Sequence, residues 1–118
     1  MWGNHLESIE IKTKDDVVIC TPNDFSMLTP YVLFEKSDWY KNEIQFVRDY
    51  LKPGMHFLDI GASFGVYTLM AAKKVGESGL VTAFENDIIA RNFLELSIKT
   101  NNFEHLSLIR KTVSDTDG

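Results

Sequence analysis

The segment from residue 56 to residue 113 alternates short apolar runs with helical repeats, and this order restricts the chain to few folds. The runs HFLDI, GLVTAFE and LSLIRKTV have the length and composition of buried strands. Between them, GVYTLMAAKKVG and the segment that follows a cap at Asn86 or Asp87 space their apolar residues at helical intervals. Strand, helix, strand, helix, strand predicts a parallel sheet with right-handed crossovers.

The first half of the chain has a different pattern. Apolar residues alternate with polar ones on both sides of a Lys14-Asp15-Asp16 turn, which predicts a β-hairpin that ends at Pro22. PNDFSMLTP is loop-like, and SDWYKNEIQFVRDYLKPG predicts a helix that leads into the core. We therefore divide the chain into a hairpin and loop, residues 1–34, and a second region, residues 35–118.

Composition limits the kinds of partner. The chain has 118 residues, a formal charge of -5 and a single cysteine, Cys20. This acidic balance gives no electrostatic reason to bind a polyanion, so the prediction is no nucleic-acid partner and a small neutral or cationic one. No charged leader and no apolar span of membrane length is present in the sequence, so the prediction is a cytoplasmic protein without a membrane partner. Cys20 is expected to be a small buried hydrophobe.

The turn after the first parallel strand predicts a ligand site. In FLDIGASFGVYT, Asp59 ends the strand and Gly61 and Gly65 precede the helix. Glycines let a ligand approach the backbone, and free N–H groups at the helix start can hold a carboxylate. A dinucleotide is disfavoured, because an acid some 4 Å from a phosphate costs on the order of 1 to 4 kcal/mol. S-adenosylmethionine carries no phosphate, and its ammonium suits Asp59.

Glu85 completes the predicted constellation. It ends the second parallel strand about twenty residues after Gly65, where this kind of fold places an acid that accepts hydrogen bonds from both ribose hydroxyls. The alternative is that Glu85 serves only the dipole of the next helix. Both features in register within one β-α-β unit favour the ligand site.

Together these residues resemble a known family. KPGMHFLDIGASFGVYTLMAA, VTAFEND and VSDTDG look like the N-terminal half of the FkbM-like class I S-adenosylmethionine-dependent methyltransferases. The resemblance implies an α/β fold, a partial Rossmann-like doubly wound sheet with the family's first three parallel strands, preceded by a β-hairpin and a helix. It implies S-adenosylmethionine as cofactor and a set of binding residues: Asp59, Gly61, Ala62, Ser63, Phe64, Gly65 and Thr68 around the methionine part, Glu85 on the ribose, and Asn86 and Ser114, with Val113 and Asp115, near the adenine.

The resemblance also implies a function for the chain. Its full-length parent would transfer a methyl group to an oxygen of a small-molecule or sugar acceptor, and this chain would be a truncated cofactor-binding part, inactive alone. The alternatives are a non-catalytic nucleoside- or cofactor-binding module and a vestigial oligomeric domain. No catalytic residue can be assigned. Because the family's fourth strand is absent, the edge of strand 57–60 would be free, which predicts a homo-oligomer through that edge.

Several other residues receive simpler interpretations. His5, His56 and His105 lack ligand spacing, which predicts no metal site. Trp39 and Tyr40 are either part of a lid over a ligand or core residues of the first helix. Arg91 is expected on a solvated helix face together with two lysines, Lys73 and Lys74.

Overall fold

The chain folds as an α/β structure, described over residues 7–110 by a computed structural model. An antiparallel hairpin and two short helices precede a parallel β-α-β-α-β unit. The elements in chain order are β1 (Ser8–Lys12), β2 (Val18–Pro22), α1 (Leu28–Lys36), α2 (Glu43–Tyr50), β3 (His56–Ile60), α3 (Val66–Val75), β4 (Leu80–Phe84), α4 (Ile88–Asn101) and β5 (Leu106–Ile109).

The parallel sheet has the strand order β3-β4-β5. Leu58 pairs with Thr82, and Thr82 with Ser107, so the carboxyl ends of the three strands lie at one edge. One face of the sheet is buried, through Val81, Ala83 and Leu106, because α3 packs against β3 and β4 there. The predicted α/β fold with three parallel strands is confirmed.

β3 is an edge strand of the sheet among the residues that the structure describes. Its partner is β4, and no described strand pairs with its other side. Leu58 and Ile60, on the face away from α3, are 59% and 60% exposed. That this edge joins copies of the chain stays a prediction.

The hairpin docks on α4 rather than forming a separate core. The Cys20 N–H donates to Ser97 Oγ at 2.7 Å, and the Val18 N–H donates to Asn101 Oδ1 at 2.9 Å. Ile19 and Cys20 are fully buried, as predicted for the cysteine. Hairpin residues and residues of α3, β4 and α4 therefore share one hydrophobic cluster.

Two elements differ from the prediction. α1 occupies a segment interpreted as loop, because Pro30 lies in its first turn, where the missing N–H has no helical acceptor to lose. α2 begins only at Glu43, so Trp39 lies in the turns before the helix and not on it.

A buried ion network joins α2 to the hairpin turn. Arg48 donates from Nε and Nη2 to the two oxygens of Asp15, at 2.7 and 2.8 Å, and from Nη2 to Asp38 Oδ1 at 2.7 Å. Both Arg48 and Asp15 are 7% exposed. The Asp15 hydrogen bonds, reinforced by those of Asp38, raise the pKa of Arg48 above its ordinary value, so the guanidinium stays charged although burial opposes this.

Among residues 7–110, no helix combines the length and hydropathy that crossing a membrane requires.

Candidate functional site

Asp59 lies at the carboxyl end of β3, where its side chain is half-buried. Its Oδ2 accepts a hydrogen bond from Thr68 Oγ1 at 2.6 Å, and Thr68 itself is fully buried on α3. Burial raises the pKa of Asp59; the Thr68 hydrogen bond opposes this rise and the nearby Glu85 charge adds to it. The structure thus brings two acidic side chains to one edge of the sheet, an arrangement that favours a cationic ligand group.

The loop from residue 61 to residue 65 takes a backbone path that needs glycine at two positions. Gly61 has a φ of 76° and Gly65 a φ of 95°. A Cβ at Gly61 would meet no atom of the described residues within 4 Å, so these residues leave the space above Gly61 open. A Cβ at Gly65 would collide with the side chain of Leu94 and press on Leu69, so Gly65 is also required for packing against α3 and α4.

Glu85 joins this loop to the end of β4. Its Oε1 accepts the Ser63 N–H at 2.6 Å, and its Oε2 accepts the Asp87 N–H at 2.8 Å. Ser63 itself has a φ of 57°, in the left-handed region. The two halves of the predicted constellation, the glycine loop and the acid of the second strand, are therefore in direct contact.

The other candidate residues divide by exposure. Ala62 and Phe64 are each only 6% exposed, and the Phe64 ring packs edge-on to Phe93, so a ligand in the loop would meet their backbone. Asn86 is exposed beside Glu85. Ser114, with Val113 and Asp115, lies outside the described residues.

Arg91 is a residue of this region that the sequence reasoning missed. Its guanidinium Nη1 donates to the carbonyl oxygens of Glu85 at 3.4 Å and Arg110 at 3.2 Å, so it bridges the ends of β4 and β5. Arg91 is half-buried, and its buried Nε has no hydrogen-bond partner among residues 7–110. The expectation of a solvated face was wrong. The sequence contained one signal for its position: Arg91 lies one turn after Asp87, the residue that caps α4 by accepting the Ala90 N–H at 2.9 Å.

The structure also shows a cleft away from this edge of the sheet. A cleft of about 710 Å³ opens at the other end of the sheet, between the C-termini of α3 and α4 and the loop before β5, and does not include the glycine loop. Within the described part of the chain, no group of three or more His, Cys, Asp or Glu side chains is arranged to hold a metal ion.

Comparison with known proteins places the fold. No family model matches the chain. The chain is 44% identical over 52 residues to the ribosomal RNA large subunit methyltransferase E of Wigglesworthia glossinidia brevipalpis; the match covers 43% of this chain and 26% of that protein. The chain thus spans about a quarter of the length of this curated relative.

Solved structures give the same architecture. TYW2 of M. jannaschii in complex with AdoMet superimposes with a TM-score of 0.68 at 19% identity, over 92% of this chain and 45% of that one. The precorrin-6y C5,15-methyltransferase of Geobacter metallireducens GS-15 superimposes with a TM-score of 0.55 at 18% identity, over 66% and 42%. The fold is that of these methyltransferases. None of the three proteins is described as FkbM-like, so that narrower assignment stays a prediction.

One prediction is corrected by these comparisons. The expectation of a small-molecule acceptor and no nucleic-acid partner was wrong, because the 44% identical relative is an RNA methyltransferase. The formal charge of -5 is a property of the whole sequence, whereas contacts to a nucleic acid are made by local groups and include stacking on uncharged rings.

Proposed function

We propose that this chain carries the S-adenosylmethionine-binding part of a methyltransferase. The observation that carries the proposal is the contact between Glu85 and the Ser63 amide, which brings an acid and an open glycine loop to the carboxyl edge of a parallel sheet. Ligands of such sheets bind at this edge. The pair of acids, Asp59 and Glu85, disfavours a pyrophosphate and suits a ligand with ammonium and sulfonium groups.

In this proposal each residue of the site binds a particular part of the ligand. The backbone of residues 61–65 and the Asp59 carboxylate hold the methionine part, and Thr68 orients Asp59 through its hydroxyl. Each carboxylate oxygen of Glu85 has a second lone pair besides the one that accepts a backbone N–H. These remaining lone pairs accept hydrogen bonds from the ribose hydroxyls. Asn86 and Ser114 border the adenine. In this proposal residues 35–118 are the N-terminal half of a methyltransferase-like cofactor-binding domain, and residues 1–34 are the hairpin and loop that precede it.

The acceptor in this proposal is RNA. The support is the similarity to the ribosomal RNA methyltransferase, of which the chain spans about a quarter. When bound, the cofactor would supply a methyl group on a positively charged sulfur. The protein must hold an acceptor atom in line with that methyl group and exclude water, and none of the described residues is assigned as a catalytic base.

The proposal is tested by isothermal titration of the chain with S-adenosylmethionine, S-adenosylhomocysteine and NAD. We expect both sulfur ligands to bind and NAD not to, and we expect Glu85→Ala to weaken both. The matched control is Glu77→Ala, which removes an exposed glutamate at the opposite end of the sheet. Absence of heat from any ligand in a sample with a cooperative thermal transition would exclude the proposal, as would equal binding by Glu85→Ala.

A further inference from the structure

The turns before α2 present an exposed aromatic ring that the proposed cofactor site does not use. We call residues 38–41, of sequence DWYK, the aromatic turn. Trp39 is half-buried and packs against the hydrophobic core, whereas Tyr40 is 47% exposed. The two ring centroids are 5.0 Å apart at an interplanar angle of 59°. Trp39 therefore anchors the turn, and Tyr40 offers its ring to solvent.

The ion network of Arg48 fixes the position of this turn. Arg48 Nη2 donates to Asp38 Oδ1, and the same oxygen accepts the Trp39 N–H at 2.8 Å. Arg48 is in turn held by both oxygens of Asp15 in the hairpin. The aromatic turn is thus tied to buried groups on two other elements, and a surface ordered before binding loses less entropy when a ligand arrives.

The aromatic turn lies on the Asp59 side of the sheet. α2, which follows the turn directly, packs against α3. Tyr67, the second residue of α3, has its pKa raised by burial first, and then by the charges of Glu43 and Asp59 and by Tyr40, so these groups lie within electrostatic range of its hydroxyl. The Tyr67 hydroxyl can donate a hydrogen bond, and the Glu43 carboxylate can accept one.

We propose that the aromatic turn is a stacking platform for a nucleobase of the RNA acceptor, beside the site of the methyl donor. The inference rests on the proposed function and names where its acceptor binds. An exposed tyrosine ring stacks on any base. Lys41 Nζ lies over the Tyr40 ring, 5.7 Å from its centroid, and would swing off the ring as a base stacks, which leaves its positive charge for a flanking phosphate. Glu43 and Tyr67 supply an acceptor and a donor for the base edge.

The test measures RNA and cofactor binding separately on the full chain. A short, labelled single-stranded RNA of mixed sequence is titrated at low salt by fluorescence anisotropy, with and without saturating S-adenosylhomocysteine, and the cofactor affinity is measured by calorimetry. We expect Tyr40→Ala to weaken RNA binding about fivefold or more, and Tyr40→Phe, which keeps the ring, to bind as the wild type does. Cofactor affinity should be unchanged in both variants.

The matched control is Tyr50→Ala, since Tyr50 is also an exposed tyrosine, 63% exposed, at the far end of α2. It should bind RNA as the wild type does. Undetectable RNA binding by the wild type, or equal binding by Tyr40→Ala, would overturn the platform and leave cofactor binding standing. Failure of cofactor binding together with Tyr40-dependent RNA binding would instead overturn the proposed function and retain the platform.

Discussion

Glu85 accepts the amide N–H of Ser63 at 2.6 Å, a bond between the end of β4 and a loop 22 residues earlier in the chain. The second carboxylate oxygen accepts the Asp87 N–H at the start of α4. One side chain thus fixes the glycine loop, the strand end and the following helix relative to one another. Glu85, which is proposed to bind the ribose, therefore also shapes the part of the site that is proposed to bind the methionine.

Glu85→Gln separates the charge of this residue from its size. The amide has one acceptor oxygen, so it cannot serve both backbone amides and the ribose hydroxyls. We expect the affinity for S-adenosylhomocysteine to fall about tenfold or more, measured by calorimetry. The thermal transition should move little, because Ser63 and Asp87 are exposed and their amides can turn to water. Unchanged affinity would contradict the assigned role.

Gly65→Ala and Gly61→Ala distinguish packing from backbone strain. Both residues have positive φ, and an alanine there costs about 1 kcal/mol. Only at Gly65 does the new methyl group collide with Leu94, which adds roughly 1–3 kcal/mol. Urea unfolding should therefore show the larger loss of stability for Gly65→Ala. Equal losses would mean that α4 moves away from the loop without cost.

Arg48→Met tests the buried ion network. It leaves the Asp15 and Asp38 carboxylates without their cation, and breaking a buried pair in this way costs about 3–5 kcal/mol. The measurement is the free energy of unfolding in urea. Lys73→Met is the control, since the ion pair between Lys73 and Asp16 is exposed and its loss should leave stability essentially unchanged. Similar values for the two variants would show that Arg48 is dispensable for the fold.

Asp59 should make stability depend on pH. Burial raises its pKa in the folded state above the unfolded value of about 4. The stabilisation by the neutral form is therefore complete below the unfolded pKa and is lost as the pH rises through the folded pKa. Asp59→Asn should remove this dependence and become more stable relative to the wild type as the pH rises above about 4, while losing cofactor affinity. Urea unfolding of both proteins at several pH values measures how the free energy of unfolding depends on pH. Parallel profiles for Asp59→Asn and the wild type would refute the prediction.

The regular part of the fold could be read from local patterns. The strand β3 was predicted to the residue, and the cap of α4, which is Asp87, was predicted as Asn86 or Asp87, because apolar runs and capping side chains are local signals. That Glu85 and the loop lie at the same edge of the sheet followed from the rule that parallel strands end at one edge, whereas the hydrogen bond between them was not predicted. The pair of Arg48 with Asp15 could not be predicted, since the two lie 33 residues apart and nothing local marks an arginine that will be buried. α1 was missed because Pro30 was taken as a boundary.

The docking of β2 on α4 has a consequence for the order in which the chain can assemble. Its hydrogen bonds join residues 83 and 77 positions apart, although the hairpin itself closes locally. A ribosome delivers the N-terminal end first, so Ile19 and Cys20 stay uncovered until α4 has been synthesised. Burial of the hairpin then completes the tertiary structure, and the amide protons of Val18 and Cys20, which donate to α4, should be the last to gain protection during folding.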